Sequence, residues 1–154
     1  MTIVNTDNRL IANALRLRIQ PVAAQGVSAE QRGFLPGRSL LCNVLDVDRD
    51  MRLASAGSRS PGAVFFEFAA AFPSIAHDVM AAVLEHIGLP QKVRHLVSAL
   101  YLGHGCKLAV AGELLEGFAI RAGIRQGCPL SPLVFAICGG LLLRRLSSVL
   151  PADT

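Results

Sequence analysis

The stretch Gly123-Ile124-Arg125-Gln126-Gly127-Cys128-Pro129-Leu130-Ser131-Pro132 constrains this chain more than any other. Proline lacks an amide donor and glycine tolerates backbone angles that other residues avoid, so neither a helix nor a β-ladder runs through it. A stiff loop must stand here, with Ser131 placed to cap the next element. The chain is then apolar from Leu130 to Leu143, with one proline near the start of the run and the pair Gly139-Gly140 inside. That run is too short for a bilayer and reads as a buried helix continuing through Arg145. Each glycine costs a helix about 1 kcal/mol relative to alanine, which implies close approach by a neighbouring element. Ahead of the loop, Cys106–Val110 and Leu114–Ile120 flank Ala111-Gly112-Glu113, the pattern of a β-hairpin around a tight turn.

The rest of the chain is mostly helical in period. Leu10, Ile11, Ala14, Leu15 and Ile19 predict a helix over Thr6–Gln20, capped by Thr6 or Asp7 and stopped by Pro21. A turn-rich loop over Ser28–Arg38 leads into a second helix from Ser39 toward Leu53, and Ala54–Gly62 is the most linker-like segment. Ala63–Phe68, rich in aromatics and valine after Pro61-Gly62, predicts a central strand. Two further helices are expected, from Ser74 to Ile87 with Gly88 and Pro90 ending it, and around Val93–Leu100. No internal repeat is found. With 154 residues and 52% apolar content, one folded α+β unit is expected, its small antiparallel sheet made of the Ala63–Phe68 strand and the hairpin. Asp7 and Arg9 interrupt any apolar leader at the start, so the expected location is intracellular, nuclear or cytoplasmic.

Few residues declare chemistry by themselves. Glu67 lies inside an apolar strand pattern, where an ionised carboxylate must be paired, metal-bound or protonated; the plainer alternative is an edge-strand glutamate facing solvent. His77, His86, His95 and His104 recur every nine residues, a spacing that suits no helical metal face. Cys42, Cys106, Cys128 and Cys138 form no C-x-x-C pair and read as reduced thiols without disulfide partners. The net charge of +4 comes from arginine, with Lys92 and Lys107 the only lysines. Excess arginine suits phosphate binding, although arginines also cap helices and cover apolar surface.

Three separated segments, in order, resemble the reverse transcriptases of non-LTR, LINE-like retrotransposons. Asn5-Thr6-Asp7, Arg9, Ala12, Leu15 and Arg18 look like its fingers segment, followed by Ser28–Ser39, similar to the signature S-x-x-Q-x-G-F-x-x-G-R-S. Phe65-Phe66-Glu67-Phe68-Ala69-Ala70-Ala71-Phe72-Pro73-Ser74-Ile75 resembles palm motif A. Arg125-Gln126-Gly127-Cys128-Pro129-Leu130-Ser131-Pro132-Leu133-Val134-Phe135 matches motif B almost letter for letter.

This resemblance implies a partial fingers-palm of a right-hand polymerase, with residues 1–60 fingers-like and 61–154 palm, lacking the thumb and the motif C strand. It puts Glu67 in the place of the first metal-binding aspartate, with the Phe68 carbonyl on the same ion. Phe72 takes the aromatic position that screens the sugar 2′ position, and Gln126 and Gly127 lie against the nascent base pair. Arg38 and Arg125 become phosphate contacts, and Cys128 a small buried residue of the loop. The implied partners are an RNA template, a DNA primer and deoxynucleotides, with no membrane. The implied cofactor is Mg²⁺, which in two-metal nucleotidyl transfer activates the primer hydroxyl and steadies the departing pyrophosphate. Ala70 and Pro73 stand where the usual motif is more polar. Three departures argue against turnover: Glu67 is one methylene longer than aspartate, no Asp-Asp pair of motif C occurs in the sequence, and no Arg-Pro pair precedes the fingers segment. The chain alone is therefore expected to be an inactive piece of an RNA-directed DNA polymerase; the alternative is a non-catalytic nucleic-acid-binding remnant of the same fold.

Overall fold

In the computed structural model, which describes residues 5–57, 63–101 and 103–150, the helical stripes of the sequence become α1 (Thr6–Gly26), α2 (Leu40–Ala56), α3 (His77–His86), α4 (Gln91–Tyr101) and α5 (Ser131–Val149). The hairpin β1 (Gly105–Val110) and β2 (Glu113–Ala119) lies between α4 and α5. Helix α5 packs against α1 and α3, and α3 packs against α4. Their shared core contains Ala12, Ile19 and Ala23 of α1, Val83 and Leu84 of α3, Val97 and Tyr101 of α4, and Leu133, Val134 and Ile137 of α5. Residues 1–60 and 61–154 thus contribute to one core, as Val27 and Leu35 also join it. Tyr101, Met80 and Leu84 are the largest side chains wholly inside.

Several element boundaries differ from the sequence expectation. Helix α1 starts after Asn5 without a side-chain cap and runs through Pro21 to Gly26. An interior proline costs about 3 kcal/mol, but Ile19 and Ala23 are buried on either side of it, and the core they join holds the extra turn in place. Helix α3 starts at His77 rather than near Ser74 because residues 69–74 form a turn, and Ala76 then bridges Ala122. Ala54–Gly62 is not wholly linker: α2 continues through Ala56, and residues 58–62 lie outside the described set. Gly140 supplies the expected close approach, a Cβ there meeting Val27 Cγ1 at 3.1 Å, whereas Gly139 has open space.

Ala63–Phe68 is not a strand of a sheet. It belongs to no ladder and faces solvent, with Val64, Phe65, Phe66 and Phe68 between 60% and 79% exposed. Aromatic and β-branched residues favour extended backbone, but a strand also needs a neighbour for its amides and carbonyls, and no described segment provides one. The sheet among the described residues is the hairpin alone. Its tight turn is made by Ala111 and Gly112, both in the left-handed region at φ 51° and 88°, as the twist of a two-residue hairpin turn requires.

Helix α2 also departs from expectation: its apolar stripe buries no residue, and Leu40, Leu41, Val44 and Leu45 are all exposed. Helix α5 is longer than read from the sequence, reaching Val149, and by length and apolar composition it could cross a membrane, which corrects the expectation that this stretch is too short. In the fold its residues Leu133, Val134, Ala136, Ile137 and Gly140 are buried in the protein core.

Candidate functional site

The Phe72–Ile75 turn and the segment leading into the Arg125–Gly127 loop are joined through the backbone. Ile124 N–H donates to the Phe72 carbonyl at 2.9 Å, and Gly123 N–H to the Ile75 carbonyl at 2.8 Å. Gly123 has φ 105°, a backbone conformation that residues with a side chain rarely adopt, so the chain's path beside the Phe72–Ile75 turn relies on glycine at this position. Ile124 is buried as an anchor, while Gln126 and Gly127 stand exposed at the tip and Arg125 is half-buried. Gly127, at φ 78°, turns the chain back toward buried Cys128.

Three phenylalanines from three separate sequence segments meet beside this joint. Phe72 stacks on Phe135 with ring centroids 4.3 Å apart and planes 8° from parallel. Phe34 approaches both edge-on, at 6.0 Å from Phe72 and 6.1 Å from Phe135. Offset stacks and T-shaped pairs are the arrangements that the ring quadrupole favours. Phe34 has φ 64°, a left-handed conformation that costs a non-glycine residue on the order of 1–3 kcal/mol. The aromatic contacts and the loop around it must offset that strain.

Arg38 shapes this loop. Its guanidinium donates to the carbonyls of Gln31 at 2.8 Å, Ala24 at 2.9 Å and Val27 at 3.1 Å, and also to Ser28. The Ala24 carbonyl belongs to the last turn of α1 and Val27 follows it, so Arg38 caps that helix and folds residues 28–38 over its end. Four carbonyl partners leave this side chain little capacity for a phosphate. Glu67 and Phe68 lie in the exposed 63–68 segment, away from the buried cluster, and no hydrogen bond or ion pair to Glu67 is seen among the described residues. Ser131 caps nothing through its side chain: Leu130 is the N-cap, and the Ser131 hydroxyl turns to the Arg125 carbonyl at 2.5 Å.

Comparison with known proteins sharpens this arrangement. The model of the family described as "Reverse transcriptase (RNA-dependent DNA polymerase)" matches residues 1–150. The chain belongs to the reverse transcriptase family. It is 34% identical over 122 residues to the retrovirus-related Pol polyprotein from the type-2 retrotransposable element R2DM of Drosophila melanogaster, covering 79% of this chain and 12% of that protein. It is 26% identical over 138 residues to the transposon TX1 uncharacterized 149 kDa protein of Xenopus laevis, covering 89% of this chain and 10% of that one. A Pol polyprotein from the type-1 element R2 of Popillia japonica is 22% identical over 111 residues, covering 72% of this chain and 18% of the relative. The chain thus spans less than a fifth of each of these relatives.

Mg²⁺ use is general in the reverse transcriptase family, but the donors described in this chain do not make a site for it. Glu67 is a single exposed carboxylate, and among the described residues no three His, Cys, Asp or Glu side chains converge. Octahedral Mg²⁺ needs carboxylates held in near-ideal geometry.

The motifs contain Phe34 and Phe135, but the sequence assigned these two rings no role, and His77 read only as part of a nine-residue spacing that suits no helical metal face. His77 is in fact buried. Its Nε2 lies 3.0 Å from the Gly123 carbonyl, which can only accept, so Nε2 carries the proton. The ring meets Tyr101 edge-on at 5.8 Å. Burial pushes the Tyr101 phenol up to about 12, and burial pushes the Cys138 thiol up to about 11. The only signal that could have drawn attention to Tyr101 was its being the sole tyrosine.

Proposed function

We propose that this chain is the fingers-to-palm segment of a non-LTR retroelement RNA-directed DNA polymerase, and that it contributes a template–primer surface rather than a complete active site. In this reading residues 1–60 are fingers-like and residues 61–154 are palm. Gln126 and Gly127 touch the nascent base pair, Phe72 faces the incoming deoxynucleotide's sugar, and Arg125 is the phosphate contact. Arg38, whose donors are committed to four carbonyls, supports the loop that carries Phe34. The RNA template and DNA primer are met inside the cell, without a membrane or a disulfide partner. The observation that carries the reading is the backbone joint between Phe72–Ile75 and Gly123–Ile124, which brings motif A's aromatic and motif B's loop together as one surface.

By itself the chain performs no turnover, because its motif A carboxylate is Glu67 and no Asp-Asp pair occurs in its sequence. The isolated exposure of Glu67 favours a second reading, a nucleic-acid-binding remnant of the same fold. Primer–template binding measured across a salt series tests the shared part. Affinity should fall log-linearly with salt, and Arg125→Ala should make the slope shallower by about one. Salt-independent or absent binding would overturn both readings. Mg²⁺-dependent nucleotide incorporation that is abolished by Glu67→Ala would overturn the prediction of no turnover, whereas none is expected in the wild type.

A further inference from the structure

We infer that His77, with Tyr101 and Ser131, is a positioning device for the Arg125–Gly127 loop, holding the carbonyls of its lead-in beside the amides that the motif A turn holds. Alternate carbonyls along residues 121–125 are each taken by this group. His77 N–H donates to the Arg121 carbonyl at 2.9 Å, and His77 Nε2–H to the Gly123 carbonyl at 3.0 Å. The Ser131 hydroxyl donates to the Arg125 carbonyl at 2.5 Å. A serine hydroxyl has one proton, so the 3.2 Å contact between Tyr101 and Ser131 must run from the tyrosine hydroxyl to Ser131 Oγ. The result is a directed relay, Tyr101 to Ser131 to the Arg125 carbonyl.

The arrangement holds both the amides and the carbonyls of the lead-in, and the His77 N–H and Ile75 carbonyl bonds flank one antiparallel bridge between Ala76 and Ala122. The amides of Gly123 and Ile124 are held by the motif A turn, while the carbonyls of Arg121, Gly123 and Arg125 are held by residues of α3 and α5. His77 and Ser131 are buried, as is Tyr101, so these polar contacts form where water competes least. Directly beyond the last held carbonyl come exposed Gln126 and Gly127. The hydrogen bonds of His77, Tyr101 and Ser131 run to other protein atoms, which makes the three positioning residues. The inference rests on the proposed role of the loop as a nucleic-acid contact only for its consequence in binding; the geometric part stands by itself.

The test uses the whole chain with His77→Leu, His77→Gln, Tyr101→Phe and Ser131→Ala. Amide exchange at Gly123 and Ile124 is read against exchange in α4 and the buried half of α5. His77→Leu should speed exchange at Gly123 and Ile124 about tenfold, the factor set by loss of one net hydrogen bond. The helices should be unaffected. His77→Gln, whose amide can reach the same carbonyl, should restore protection to within about threefold, and Tyr101→Phe and Ser131→Ala should act in the same direction as His77→Leu. Primer–template affinity should fall about tenfold in His77→Leu without a change in salt slope, since no phosphate contact is removed. Unchanged exchange at Gly123 and Ile124, equal loss of protection throughout the helices, or failure of glutamine to restore protection would each overturn the positioning role. If His77→Leu does not fold, Tyr101→Phe, which removes a single oxygen, decides the question by the same exchange readout. Should wild-type protein bind no primer–template, the nucleic-acid reading fails while the exchange measurements still decide whether the loop is held this way.

Discussion

Phe72 and Phe135 lie stacked, with ring centroids 4.3 Å apart and planes 8° from parallel. The contact ties the turn after the exposed 63–68 segment to the early part of α5, and Phe34 closes over its edge. Both stacked rings are half-buried. Phe135→Ala should therefore destabilise the chain by about 2 kcal/mol, below the ~3–5 kcal/mol typical of a fully buried phenylalanine. Urea unfolding checks this, and a loss under about 0.5 kcal/mol, the range of ordinary surface substitutions, would show that the stack is incidental.

Arg38 makes a second prediction. Lysine in its place keeps the charge but offers a point-like ammonium instead of a planar fork, and it cannot reach four carbonyls at once. Arg38→Lys should cost about 2 kcal/mol by leaving carbonyls at the end of α1 without donors. Thermal melting should report the loss, and limited proteolysis should cut first within residues 28–38. Unaltered cleavage there would argue that the loop is held by other contacts.

Tyr101 gives a pH dependence whose sign is fixed. Its folded-state value of about 12 lies above the ordinary 10.0, so its contribution to stability is complete below pH 10.0 and is lost as pH rises through about 12. As the sole tyrosine in a chain without tryptophan, it can be followed by tyrosinate absorbance with no overlapping residue. The native protein should titrate later than urea-unfolded protein, and Tyr101→Phe should flatten the fall of stability with alkali. Titration at the ordinary value in both states would contradict the burial of the Tyr101 phenol.

Glu67 predicts an absence of effect on folding. It lies exposed in a segment where no residue is buried, so Glu67→Gln should change stability by no more than ~0.5 kcal/mol. Chemical denaturation checks it. A loss well beyond that would mean that the carboxylate has a partner in the folded chain.

The helices were legible in the sequence because each carries its own periodic stripe and punctuation: Gly88 and Pro90 closed α3, and Ala111-Gly112 formed the hairpin turn where expected. The failures share one cause. Ala63–Phe68 has the residues of a strand, and α2 has the stripe of a packed helix, yet neither buries a side chain. Local pattern reports what a segment could bury, whereas burial itself needs an opposing surface. Pro21 failed in the other direction, as core packing around Ile19 and Ala23 outweighed a local stop signal.

The sequence by itself determined the family, through contiguous motifs whose letters survive without reference to any neighbour, and most of the helical order. Only the tertiary structure decided what those letters do. It turned Arg38 inward onto the end of α1, brought Phe34, Phe72 and Phe135 together from three segments, and made buried His77 and Tyr101 holders of the Arg125–Gly127 loop. The physical reason is that hydrogen-bond partners and ring contacts at long sequence separation are fixed by how helices pack, and no spacing along the chain encodes that distance.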